Sequence, residues 1–392
     1  MISVCFYFEV HQPFRIKPYH FFDVGNDPFY LDEAKNREVM LKVAKKCYLP
    51  TNKLLLDLIK LYGPDFRCSF SVTGTAIEQM RMYSPETLES FQRLADTGQV
   101  EFLNETYYHS LSALFSEREF RSQVQKHGTL MREVFGISPV SFRNTELIYS
   151  DHIAWLAKDM GFQAILLEGT EKILDWRSPN YVYKPAHTQG IKCLLKNYRL
   201  SDDIAFRFSD RNWKDWPLSA EKFASWTHQI AGNGVTLNLF MDYETFGEHQ
   251  WEDSGIFSFL KDLPARILRH PDFNFRTVTQ VARTHEAVGS VETREPISWA
   301  DLERDLSAWL GNGMQKEALN AIYELEDAVY ASGREDYLDI FRKLQTSDHF
   351  YYMSTKYWSD GDVHKYFSPY AAPHDAYIYY MNALHDFRER LT

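Results

Sequence analysis

Two carboxylates stand at the ends of apolar, strand-like runs far apart in the chain: Glu146 in PVSFRNTELIYSD and Asp242 in VTLNLFMDYETFGEHQW. Such a pair suits glycosidic cleavage, where one group attacks the anomeric carbon or activates water and the other protonates the leaving oxygen. Comparable strand ends carry more polar residues. The opening stretch MISVCFYFEVHQPF bears Glu9 and stops on His11, Gln12 and Pro13, and GQVEFLNETYYHSL ends on Asn104, Glu105, Tyr107, Tyr108 and His109. Arg143 and Asn144 precede Glu146, while Glu244, His249 and Trp251 follow Asp242. Each has a plainer reading. A strand-end acid often caps the next helix or forms a surface pair, and His11 and His109 could be satisfied core histidines. Glu244 suits bracing of its loop better than chemistry. A metal site is the rival chemistry, because His11, His109, His249, Glu9 and Asp242 are ligand-capable types, yet no local spacing such as His-Glu-x-x-His occurs among them.

The elements that must position these groups alternate. Strand-like segments cover residues 2–10, 67–73, 100–103, 139–145, 164–168, 192–197 and 235–241. Between them, LPTNKLLLDLIKLYG, SEREFRSQVQKHGTLMREVFG and SDHIAWLAKDMG read as helices with polar caps and glycine stops, Ser150 or Asp151 starting the last. In the first strand Val4, Phe6, Phe8 and Val10 share one face while Cys5, Tyr7, Glu9 and His11 share the other, and Pro13 ends it. Seven such units imply parallel strands with helical crossovers and a barrel-like closure, whose functional side chains gather at the C-terminal strand ends. From about residue 290 the pattern is helical. The expected division is a barrel over 1–290 and a helical domain over 291–392 that contributes to the substrate cleft.

Composition narrows the partners. With 54 acidic against 43 basic residues the net charge is -11, and no basic stripe suggests a nucleic-acid binder. No apolar run is long enough to span a bilayer. The four cysteines are widely spaced and, with no signal-peptide pattern at the start, favour a cytoplasmic protein. Aromatic residues reach 16%; most must be core, but loop aromatics offer platforms on which sugar rings stack.

Five ordered blocks resemble glycoside hydrolase family 57, and within it the α-amylase group: HQP at 11–13, GQVEFLNETYYHSLSAL from Gly98, FRNTEL ending at Leu147, MDYETFGEH from Met241, and SWADLERDLSAWLGNGMQ from Ser298. The resemblance implies an α/β fold, an incomplete (β/α)7 barrel followed by a C-terminal helical domain, acting with retention on α-1,4 glucans without a metal or other cofactor. It makes Glu146 the nucleophile and Asp242 the acid/base, puts His11 beside the sugar, and lets His109, His249, Trp309 and Asn312 line the cleft. Tyr107, Tyr108 and Trp251 are candidate walls. Two positions depart from the family pattern: Glu9 stands where many relatives have histidine, and Arg143 where a tryptophan often precedes the nucleophile. Arg143 is therefore expected to hold the sugar through its guanidinium. Glu9, Gln12 and Glu244 are expected to support the residues that touch substrate, Glu9 by orienting His11 or a nearby donor. The partner is an α-glucan; no oligomeric state is assigned. The alternatives are a 4-α-glucanotransferase with the same pair, a metal-dependent deacetylase or mannosidase-like hydrolase, and a non-catalytic glucan-binding protein.

Overall fold

In the computed structural model, which describes residues 1–356 and 368–391, the seven strand-like runs form a closed ring. The strands are β1 (Ile2–Val10), β2 (Cys68–Val72), β3 (Val100–Phe102), β4 (Ser141–Arg143), β5 (Ala164–Glu168), β6 (Val182–Pro185), β7 (Lys192–Lys196), β8 (Thr236–Asp242), β9 (Phe273–Phe275) and β10 (Ser290–Val291). Parallel ladders run β3-β2-β1-β8 and β7-β5-β4. Isolated bonds close the two seams. Asn104 bridges Phe142, and the Asn197 N–H donates to the Asn238 carbonyl at 2.9 Å. The seven-strand ring is thus joined by ladders within each sheet and by single bonds at the two seams. Three short strands lie outside the sequence expectation. β6 runs antiparallel to β7, β9 pairs with the first residues of β1, and β10 pairs with β6.

Burial on both faces explains why β1 reads as an apolar run. Val4, Phe6, Phe8 and Val10 pack outward with Leu55, Phe91 and Leu260 from the surrounding helices. Cys5 and Tyr7 point inward to Leu103, Leu166, Leu194 and Phe240, and Val278 and Val281 of the helix Val278–Thr284 join this inner core. Glu9 shares that inward parity one layer nearer the rim. Strand-to-helix turns are capped by Thr73, Ser150 and Asn197, whose side chains accept from the N–H groups of Ala76, Ile153 and Leu200. Ser150 is thus the cap of its helix, and Glu146 and Asp242 cap nothing.

The C-terminal region contributes the helices Gly313–Tyr323, Glu326–Ser332, Glu335–Lys343, Ser347–Tyr351 and Pro373–Leu391, which share an apolar core with Phe142, Ile153 and Leu167 of the barrel. Two of its segments are pinned to the rim. Ile297 bridges Tyr149 and the Trp299 N–H reaches the Glu146 carbonyl; Thr346 bridges Ser110 and the Ser347 N–H reaches the His109 carbonyl. Residues 357–367 and 392 of the stretch expected to be helical lie outside the described residues. Among the described residues no helix is long and apolar enough to cross a membrane.

Candidate active site

The rim of the barrel opens into a cleft of about 890 Å³ lined by Glu146, Asp242, His11, His109, Trp299 and Asp348, among others. Glu146 enters it from the turn after β4. The backbone is left-handed there, with φ 57° at Glu146 and 50° at Leu147, a conformation that costs non-glycine residues on the order of 1–3 kcal/mol each. The tertiary contacts of the turn must offset that strain. One carboxylate oxygen meets His109 Nε2 at 3.2 Å, and the other accepts the Trp299 indole N–H at 2.7 Å.

Beneath the Glu146 carboxylate lies a buried ionic floor. His109 Nδ1 faces Glu9 Oε1 and Glu105 Oε2, each at 3.6 Å, and Arg143 Nε lies 3.1 Å from Glu9 Oε2. Burial disfavours a charged imidazole, but Glu105 and Glu146 outweigh it and lift His109 to about 10, so the ring is a cation at neutral pH. Glu9 is held below the ordinary carboxylate range despite its burial, because Arg143 and His109 oppose that cost and the Ser71 and Tyr7 hydroxyls donate to it. Glu105 behaves oppositely, pushed up to about 7 by burial and by the charge on Glu9.

Asp242, at the end of β8 beside Glu9 of β1, stands in the contrasting environment. Burial, then the negative charges of Glu146 and Glu9, push it up to about 7. Near neutrality a large fraction of Asp242 therefore carries a proton. Glu244, pushed up to about 8 by burial and by Asp242, accepts hydrogen bonds from Tyr48 and from Gln12, the latter at 3.4 Å. Gln12 in turn accepts from Arg15, so Gln12 and Glu244 tie the first loop to the β8 loop.

His11 is fixed from both ends, with Nε2 2.9 Å from Asp348 Oδ2 and Nδ1 3.0 Å from Thr73 Oγ1. Its ring stacks on His109 at 3.9 Å between centroids. Burial and the neighbouring His109 cation keep His11 below its ordinary value, so it is neutral, donating through Nε2 and accepting at Nδ1. The Trp299 indole lies between two cations, 5.1 Å from the Arg143 guanidinium and 5.2 Å from the Lys196 ammonium. Lys196 is held by Asp202 at 3.0 Å, and Arg304 bonds both Asp202 and the Trp299 carbonyl.

Several sequence expectations need correction. Arg143 is inward-facing and fully buried against Glu9, so at the base of the cleft it braces the floor instead of standing at the rim. Of the two partners expected for Glu9, the nearby donors are the ones it meets, Arg143 and His109, while His11 bonds Thr73 and Asp348. Tyr107 and Tyr108 turn away from the cleft. The Tyr107 ring lies over Gly74, where a Cβ would come within 2.4 Å of it, and its hydroxyl donates to Glu78; the Tyr108 hydroxyl donates to Asp339. Trp309 is buried near Tyr351 in the helical core. Asn312 caps the helix Gly313–Tyr323, accepting from the Gln315 N–H and donating to the Met353 carbonyl. Trp251 lies outside the cleft, in an adjoining groove. His249 does line the cleft, with burial lowering its basicity to about 4.

The sequence reading missed Trp299 and Asp348. Trp299 sits in the same SWADLERDLSAWLGNGMQ block as Trp309, ten positions earlier, and its place against Glu146 follows from the Ile297–Tyr149 bridge. Asp348 arrives through the Thr346–Ser110 bridge, for which no local signal exists. Two side-chain groups bring metal-capable atoms within 4.8 Å of one another at the rim: His11, His109 and Asp348, and Glu9, Glu105 and His109. Both include His109, whose protonated state competes with metal binding. Asp242 and His249 belong to neither.

A family model described as glycosyl hydrolase family 57 matches residues 5–294. A Methanocaldococcus jannaschii protein, whose description as an alpha-amylase is itself provisional, is 45% identical over 397 aligned positions, covering 98% of this chain and 84% of that protein. Among solved structures, a GH57-type branching enzyme from Pyrococcus horikoshii superposes with a TM-score of 0.72 at 14% identity, covering all of this chain and 92% of that one. The 4-alpha-glucanotransferase of Thermococcus litoralis gives 0.66 at 14% identity, over 89% of this chain and 56% of that enzyme, so the present chain spans just over half of the transferase.

Proposed function

The chain belongs to glycosyl hydrolase family 57, and we propose that it is a retaining glycoside hydrolase cleaving α-1,4 bonds in starch- or glycogen-type glucans and maltooligosaccharides. The observation that carries this reading is the opposite treatment of two carboxylates on one rim. Glu146 is met by the His109 cation and the Trp299 N–H, whereas Asp242 is pushed up to about 7. Protonated Asp242 gives its proton to the leaving glycosidic oxygen as Glu146 forms the bond to the anomeric carbon. Esterification then removes the charge on Glu146 that helped raise Asp242. Asp242 becomes the stronger acid, stays ionised, and accepts a proton from the water that releases the sugar. His11, with both ring nitrogens held by Asp348 and Thr73, supports the reading as an apolar-faced ring at the cleft that fixes the Asp348 carboxylate beside it, and the buried unpaired cysteines suit a reducing cytoplasmic setting.

A glucanotransferase would use the same groups and differ in the acceptor. The test incubates the parent and Glu146→Gln with maltoheptaose and soluble starch, with and without a chelator. The expected result is shorter maltooligosaccharides, one new reducing end per bond broken, insensitivity to chelator, and no products from the variant. Products longer than maltoheptaose without new reducing ends would make it a transferase. Loss of activity to the chelator would favour metal chemistry centred on His11, His109 and Asp348, and starch binding without products would make it a binding protein.

A further inference from the structure

Beside the cleft lies a second concavity of about 740 Å³, and the loop after β8 forms the wall between them. Glu248 and His249 of that loop face the cleft, while Gly247 and Trp251 face the groove. The wall is thin and rigidly seated. Gly247 has φ +110°, and a Cβ there would sit 2.0 Å from the Lys46 carbonyl oxygen, so the loop lies directly against the helical segment Ala44–Tyr48 that carries Lys46. The Lys46 ammonium spans both sides, 3.7 Å from Glu248 Oε2 and 5.3 Å from the centroid of the Trp251 ring.

Trp251 is 60% exposed, the groove contains Leu54 and Phe257, and Lys45, Lys261, Glu252 and Asp253 surround them. An exposed indole with apolar neighbours and a polar rim matches a pyranose, whose C–H face packs on an aromatic ring while its hydroxyls reach charged groups. The rim carries both signs of charge, which suits a neutral polyhydroxyl ligand better than an anion or a cation. Adjacency to the cleft across that one loop selects among neutral ligands.

We propose that this groove is a second α-glucan-binding site, in which Trp251 holds a distal part of the polymer whose reacting part occupies the cleft. The assignment rests on the glucan reading of the cleft. Only chains long enough to engage both sites gain from it, because the second contact is then intramolecular.

The test is native electrophoresis through gels containing glycogen, run on Glu146→Gln so that the polymer is not consumed. Retardation should fall several-fold when Trp251→Ala is added, be partly restored by Trp251→Phe, and be unaffected by Trp176→Ala, which truncates a 91% exposed indole outside the groove. In the active enzyme, Trp251→Ala should lower the ratio of kcat/KM on soluble starch to that on maltotriose several-fold. Absence of retardation in the first place, or equal retardation with and without Trp251→Ala, would overturn the proposal. The two readings fail separately: a parent that cleaves no glucan defeats the hydrolase assignment, while the gels still report on the groove.

Discussion

The two walls of the cleft are built from the same kind of strand end and treat a carboxylate in opposite ways. On the β4 wall Glu146 has the His109 cation at one oxygen and the Trp299 N–H at the other, with Arg143 in the floor below. On the β8 wall Asp242 has no ion-pair partner within 4 Å among the described residues, and burial and the charge of Glu146 dominate. In the proposed mechanism, residue type does not decide which carboxylate attacks and which donates a proton. Neighbours do, and most of those neighbours arrive from elsewhere in the chain: Trp299 from the start of the C-terminal region, His109 from the loop after β3.

The sharpest way to break this asymmetry is to erase the charged side of it. Glu146→Gln keeps shape and removes the proposed nucleophile, and turnover of maltoheptaose should fall by at least about 10³-fold. Asp242→Asn should cost about 10²–10⁴-fold on the same substrate. Measured as kcat/KM, which reads only the first step, its cost should be far smaller on α-maltosyl fluoride, whose leaving group needs no proton; an equal loss of kcat/KM on both substrates would remove Asp242 from the acid role. In the parent, kcat/KM must track protonated Asp242, so it should decline as pH rises through about 7. A decline confined to pH above 9 would place the acid elsewhere. Trp299→Phe keeps the ring between Arg143 and Lys196 and deletes the N–H on Glu146. A hydrogen bond to a charged group contributes about 1.5–3 kcal/mol, so kcat should drop roughly tenfold or more while KM changes less. A change confined to KM would make the indole a sugar contact only.

Much of this arrangement was legible in the sequence, for physical reasons. Barrel strands buried on both faces leave continuous apolar runs, so the seven staves stood out, while β6, β9 and β10, two to four residues long, left no pattern. Glu146 and Asp242 were visible because one stands just past, and the other at, the C-terminal end of a strand-like segment. Side-chain direction past the strand end was not. His109 adopts φ 52°, a conformation that sequence does not announce, and Tyr107 and Tyr108 just before it face away from the cleft. Arg143 follows Phe142 on β4 and takes the opposite, inward parity, which puts it under Glu146 instead of beside a sugar. The choice between Trp299 and Trp309, and the arrival of Asp348 at His11, depend on bridges between residues 148 to 236 positions apart. No local reading contains them.

Attack on carbon by Glu146, with Asp242 serving first as acid and then as base, would fix the stereochemistry of the product. Proton NMR of the first sugar released from maltoheptaose, recorded before mutarotation, reads that stereochemistry directly. The account predicts the α anomer at the new reducing end; initial formation of the β anomer would mean single displacement by water and would contradict it.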